Sequence, residues 1–109
     1  MSEFRKCART AEAAMRSVFP ATPLQLNAHL SARFGADIWL KREDLSPVRS
    51  YKIRGAFNAM RKQQGQELFV CASAGNHAQG VAYMCKHLGV QGVIFMPVTT
   101  PQQKVQRTR

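Results

Sequence analysis

Leu68-Phe69-Val70-Cys71-Ala72-Ser73-Ala74-Gly75-Asn76-His77-Ala78-Gln79-Gly80-Val81-Ala82 is the stretch that decides the fold. Five apolar residues run unbroken over 68–72, as in parallel strands covered on both faces. The run breaks at Ser73-Ala74-Gly75-Asn76-His77. Val81, Met84, Cys85 and Leu88 then recur at helical spacing up to Gly89. Val93-Ile94-Phe95-Met96 is the next apolar run, stopped by Pro97. Strand, helix and strand over 68–96 make one βαβ unit with a right-handed crossover, so the fold class is α/β with a parallel sheet. Thr100-Pro101 opens a further helix, with Thr100 as N-cap and Pro101 in the first turn.

Upstream, residues 7–18 are rich in helix formers, and Pro20 ends that helix. Pro23 holds Thr22 in an extended conformation. A second helix is expected from Asn27 to Phe34, closed by Gly35. Ile38-Trp39-Leu40 reads as a short strand, ended by the charged quartet Lys41 to Asp44. Ser50 can cap a helix from about Tyr51 to Lys62, whose buried face is Ile53, Ala56, Phe57 and Met60.

The 109 residues carry 16 Lys+Arg against 6 Asp+Glu, a formal net charge of +10. An apolar fraction of 45% excludes a wholly disordered chain. No apolar run approaches the roughly 18 residues of a membrane span, and the start Met1-Ser2-Glu3-Phe4-Arg5-Lys6 has no apolar signal core. Cys7, Cys71 and Cys85 match no disulfide or metal spacing, so reduced thiols, no metal and a cytoplasmic setting are expected. Residues 1–62 hold 12 bases and 5 acids, and residues 63–109 hold 4 and 1. The excess is thus spread along the chain, and Glu43-Asp44 directly follow Lys41-Arg42. A basic nucleic-acid-binding module is the non-enzymatic alternative, though no aromatic interleaving suggests base stacking.

In an open parallel sheet, ligands bind beyond the C-terminal ends of strands, where helix starts present free N–H groups. Ser73 to His77 lie there, and the amides of Gly75, Asn76 and His77 could cradle a carboxylate; the alternative is that Ser73 or Asn76 merely caps the helix. Gly75 and Gly80 are spaced like P-loop glycines, but Val81-Ala82 stands where Lys-Ser/Thr is required. No G-x-G-x-x-G is present, so a dinucleotide site is unsupported. Lys52 lies at the start of its predicted helix, beside Arg49 and Arg54. A neutral lysine amine is the nucleophile that Schiff-base chemistry needs, and burial would be its main support.

Lys41-Arg42-Glu43-Asp44-Leu45, Ser50-Tyr51-Lys52-Ile53-Arg54-Gly55-Ala56 and Ser73 to Ala82, in that order, resemble the N-terminal part of the threonine dehydratases. These are pyridoxal-phosphate enzymes of the tryptophan synthase β-like fold, fold type II. The resemblance runs from about Thr22 to the end of the chain, through Thr22-Pro23-Leu24, Met96-Pro97 and Thr99 to Lys104. It implies a partial, truncated version of that fold, a parallel sheet with flanking helices. Residues 1–65 would belong to the large cofactor domain and 66–109 to the first βαβ unit of the small domain.

The resemblance makes Lys52 the catalytic lysine that carries pyridoxal 5'-phosphate. It makes Tyr51 the aromatic neighbour of the cofactor and Asn76 the partner of its 3-hydroxyl. Ser73, Asn76 and His77 become the turn that receives the substrate carboxylate. The implied reaction is β-elimination of L-threonine to 2-oxobutanoate and ammonia, with serine dehydration or racemisation as the alternative within the family. Ala74 stands where racemase-like relatives carry a serine that acts as a second base, which favours elimination. The family's glycine-rich phosphate loop has no counterpart, and the connection from Lys62 to Leu68 is slightly short. An inactive or incomplete fragment of a homo-oligomeric enzyme is therefore expected. His29, Cys85 and His87 are read as carrying no catalytic role.

Overall fold

The computed structural model describes residues 2–63 and 65–109. Met1, part of the expected polar N-terminus, and Gln64, in the connection 62–68, lie outside the described residues. The elements run α1 (Glu3–Met15), β1 (Leu24–Leu26), α2 (Ala28–Phe34), β2 (Trp39–Lys41), a 3-10 turn at Glu43–Leu45, and α3 (Lys52–Met60). They continue with β3 (Leu68–Ala72), α4 (Asn76–Leu88), β4 (Gln91–Phe95) and α5 (Gln102–Gln106).

β3 and β4 pair in parallel, with Val70 opposite Val93 and Ala72 opposite Phe95. β1 and β2 form a separate antiparallel pair, with Gln25 opposite Leu40. The βαβ unit is therefore present where the hydrophobic pattern puts it. α2 is closed by Gly35 at φ 62, as expected, whereas Asn27, expected as its first residue, stands before it as the N-cap and its side chain accepts from Leu30 N–H at 2.8 Å.

The core is built by α3 and α4, with Met15 and Phe19 from the first segment. Ile53, Ala56, Phe57 and Met60 are buried, as their spacing predicts, and they pack with Val81, Met84 and Cys85. Burying side chains of this size is worth about 1.5–3 kcal/mol each. Leu88, expected on the same face of α4, stays exposed because the chain leaves the helix at Gly89. Gly92 lets β4 lie close to α4, since a Cβ there would meet the Cys85 sulfur at 2.8 Å.

The strands differ most from expectation. Among the described residues, only one face of the β3–β4 pair is covered: Phe69 and Cys71 pack on the core. Leu68, Val70, Val93 and Phe95 point the other way and are 42–62% exposed. An unbroken apolar run requires cover on both faces, and two strands with one helix provide it on one. At the last helix, Pro101 has an extended ψ of 137 and no side-chain cap bond forms. Thr100 Oγ1 is buried without a partner among the described residues, so Thr100 does not act as the expected N-cap.

Candidate active site

The loop that delivers Lys52 is tied by serines. Ser50 N–H donates to Ser46 Oγ at 2.9 Å, Ser46 Oγ donates to Ser50 C=O at 3.0 Å, and both serines are buried. Arg49 between them takes φ 54, a left-handed conformation unusual for a residue with a Cβ. Tyr51 already has helical dihedrals (φ −62, ψ −16), and Ser50 Oγ accepts from Lys52 N–H at 3.3 Å. Ser50 thus does the capping expected of it, and Lys52 is the first helical residue. Lys52 and Tyr51 are both exposed, so the burial expected around the lysine is not provided within this chain.

The second loop continues the sheet for one residue. Ser73 N–H donates to Phe95 C=O at 3.0 Å, after which Ala74 and Gly75 turn the chain into α4. Ser73 Oγ accepts from Gly75 N–H at 3.3 Å, so Gly75 is already engaged in the predicted anion cradle. The amides of Asn76 and His77 belong to the first turn of α4 and have no carbonyl one turn back. The side chains of Asn76 and His77 are exposed and make no hydrogen bond among the described residues. No side-chain bond caps this helix, so neither Ser73 nor Asn76 is spent in that way.

Gly80 joins the two loops. A Cβ on it would lie 3.3 Å from the Ile53 backbone nitrogen and Cα and 3.4 Å from the Lys52 carbonyl carbon. Gly80 sits one turn beyond Asn76, so the second turn of α4 presses on the first turn of α3, backbone on backbone. Lys52 and Gly80 are 28 positions apart in sequence and become neighbours through this contact. The spacing of Gly80 from Gly75 had meaning in the sequence only as a failed P-loop; its part in helix packing carries no local signal.

Behind α3, Arg54 donates to Glu43 from Nε at 2.9 Å and from Nη2 at 2.8 Å, and Nη2 also reaches Thr22 Oγ1 at 3.0 Å. The Thr22 hydroxyl donates to Glu43 Oε1 at 2.6 Å. These bonds, the Arg54 pair first, hold the Glu43 carboxyl below the usual carboxylate range and raise the Arg54 guanidinium. The adjacency of Glu43-Asp44 to Lys41-Arg42 therefore becomes pairing at only one of the two acids. Arg42 does pair with Asp44 at 2.7 Å, but Glu43 reaches eleven residues onward to Arg54. A groove of about 560 Å³ adjoins the site, lined by Val48, Arg49, Asn76, Gln79, Tyr83 and Lys86 among others, but not by Lys52.

An exposed lysine thus stands at the start of α3, and α4 opens on two amides with no carbonyl one turn back and an exposed asparagine. The chain belongs to the family of pyridoxal-phosphate dependent enzymes, whose sequence profile matches residues 16–109. It is 58% identical over 102 residues to the biosynthetic L-threonine dehydratase IlvA of Corynebacterium glutamicum, covering 91% of this chain and 23% of that protein. Its fold matches threonine deaminase isoform 2 of Solanum lycopersicum with a TM-score of 0.85 at 37% identity, over 99% of this chain and 32% of that one. It also matches the serine racemase of Dictyostelium discoideum with a TM-score of 0.87 at 26% identity, over 94% and 35%. The chain thus spans about a quarter of the length of the curated relative and about a third of the solved structures. Both solved structures fit the fold type II expectation.

Proposed function

We propose that the protein takes part in pyridoxal-phosphate dependent β-elimination of L-threonine to 2-oxobutanoate and ammonia, the reaction implied by its dehydratase relatives. The observation that carries this is the junction at Gly80, where α4, the helix that opens on Asn76 and His77, meets the backbone of Lys52 and Ile53. Bound pyridoxal phosphate would supply an electron sink for the carbanion at the substrate α-carbon. Lys52 is the residue to hold the cofactor, beside Tyr51 and Asn76, whose side-chain amide makes no hydrogen bond among the described residues. Lys52 Nζ, when free, is the base for the substrate α-proton. The amides of Asn76 and His77, with the Ser73 hydroxyl, orient the substrate carboxylate at a helix start.

Ala74 favours elimination over racemisation, because a methyl group cannot pass a proton to the opposite face of the substrate. Serine dehydration shares the same geometry and is separated by substrate profile. A nucleic-acid module is disfavoured, since Arg16, Arg42 and Arg54 are already paired with Glu12, Asp44 and Glu43. We further propose that 1–65 and 66–109 belong to two domains of a longer, homo-oligomeric, cytoplasmic enzyme. In this chain one apolar core crosses that boundary. Among the described residues no helix is long and apolar enough to cross a membrane.

The test is borohydride trapping of pyridoxal phosphate on the full-length protein, followed by peptide mapping and assays with threonine and serine. Trapping on Lys52, with 2-oxobutanoate formed from threonine and lost in Lys52→Ala, is expected. Trapping on another lysine overturns the site, and racemisation as fast as elimination overturns the reaction.

A further inference from the structure

Glu43 has no part in the chemistry above, yet it is the centre of the densest polar network around the site. Its carboxylate accepts two bonds from Arg54 and one from Thr22, and Arg54 closes the ring by donating to Thr22. Lys41 Nζ donates to the Thr22 carbonyl, tying the end of β2 to the same point. The Arg54 and Glu43 side chains are 28% and 18% exposed, so the pair is sheltered from the screening that weakens surface pairs. Arg54 also stacks over Phe19, 5.6 Å from the ring centre.

Arg54 lies two residues after Lys52, about 200° further round the helix. The two side chains therefore leave opposite sides of the first turn of α3. The fork holds the back of that turn, while α4 presses on its backbone at Gly80. A planar guanidinium with two bonds to one carboxylate resists rotation in a way that a single contact does not. We infer that Glu43 is a positioning residue for Lys52. Through Arg54 and Thr22 it sets the rotation of α3 against α4, and so the point to which Nζ is delivered. The role of Lys52 rests on the proposed function, whereas the hold of Glu43 on α3 does not.

The full-length protein and its Arg54→Lys, Glu43→Gln and Thr22→Val variants are compared at a temperature where circular dichroism shows them folded. Two quantities are read: amide exchange over Ile53–Phe57, and the ratio of pyridoxal phosphate trapped by borohydride on Lys52 to that on Lys62. Arg54→Lys keeps the charge and loses the fork, so it separates geometry from charge. Exchange about tenfold faster and a trapping ratio about tenfold lower are expected in Arg54→Lys and Glu43→Gln. Thr22→Val, the mildest change, is expected to move both in the same direction and serves if the others unfold. Wild-type exchange and ratio in the folded variants overturn the inference. A wild-type protein that traps no more cofactor on Lys52 than on Lys62 overturns the proposed function instead, and exchange alone then decides the role of Glu43.

Discussion

Two glycines in neighbouring helices show how much one hydrogen atom in place of a methyl decides. Gly80 faces backbone: Ile53 and Lys52 atoms stand 3.3–3.4 Å from the position of its missing Cβ. The first turn of α3 cannot yield freely, because the Glu43–Arg54 fork holds it from behind. Alanine there gains about 1 kcal/mol of helix propensity but must force the helices apart by a few tenths of an ångström, at about 1–3 kcal/mol. Gly55, inside α3, has nothing within 4 Å of that position. Gly80→Ala is therefore expected to lose about 1 kcal/mol net and Gly55→Ala to gain up to about 1 kcal/mol. Urea unfolding midpoints of the two variants check the opposite signs.

At the scale of elements, α3 is secured by its apolar face and by one ion pair that belongs to another segment. Ile53, Ala56, Phe57 and Met60 could be read from their spacing, and all four are buried. Ser50 could be read as the cap, and it is. The partnership of Glu43 with Arg54 could not, because the nearest bases to Glu43 in sequence are Lys41 and Arg42 and pairing over a turn has no periodic signature. That partnership makes stability depend on pH. The Glu43 carboxyl titrates lower in the folded chain than in the unfolded one, where it lies near about 4.3. Its contribution is complete above that value and fades as pH falls through the folded value. Asp44, held low by its hydrogen bonds from Arg42, acts in the same direction. Melting temperature is expected to fall on acidification below about pH 4, and Glu43→Gln is expected to start lower at neutral pH and fall less steeply.

At the scale of this 109-residue chain, the two parallel strands leave one apolar face uncovered among the described residues. Val70 is 59% exposed and Phe95 62%, side by side with Leu68 and Val93. Contiguous apolar surface of this kind favours association. Val70→Thr with Phe95→Thr, both compatible with a strand, is expected to reduce concentration-dependent self-association in sedimentation while leaving the helical circular dichroism in place. The same change is expected to lower binding of an apolar fluorescent dye.

What local sequence determined by itself were the elements and their types. Apolar runs at 68–72 and 93–96, helical spacing in α3 and α4, and the end residues Gly35 and Ser50 act over a few residues, so their physics is complete within a short window. The order of three motifs also sufficed to point to the cofactor family. Tertiary structure alone decided three things: that Gly80 brings α4 against the Lys52–Ile53 backbone, that Glu43 serves Arg54 and not its neighbours, and that one face of the strands is uncovered among the described residues. Each depends on groups far apart in the chain meeting in space. Close packing and hydrogen bonds extend only a few ångströms, and no property of either residue taken alone records which distant partner will arrive there.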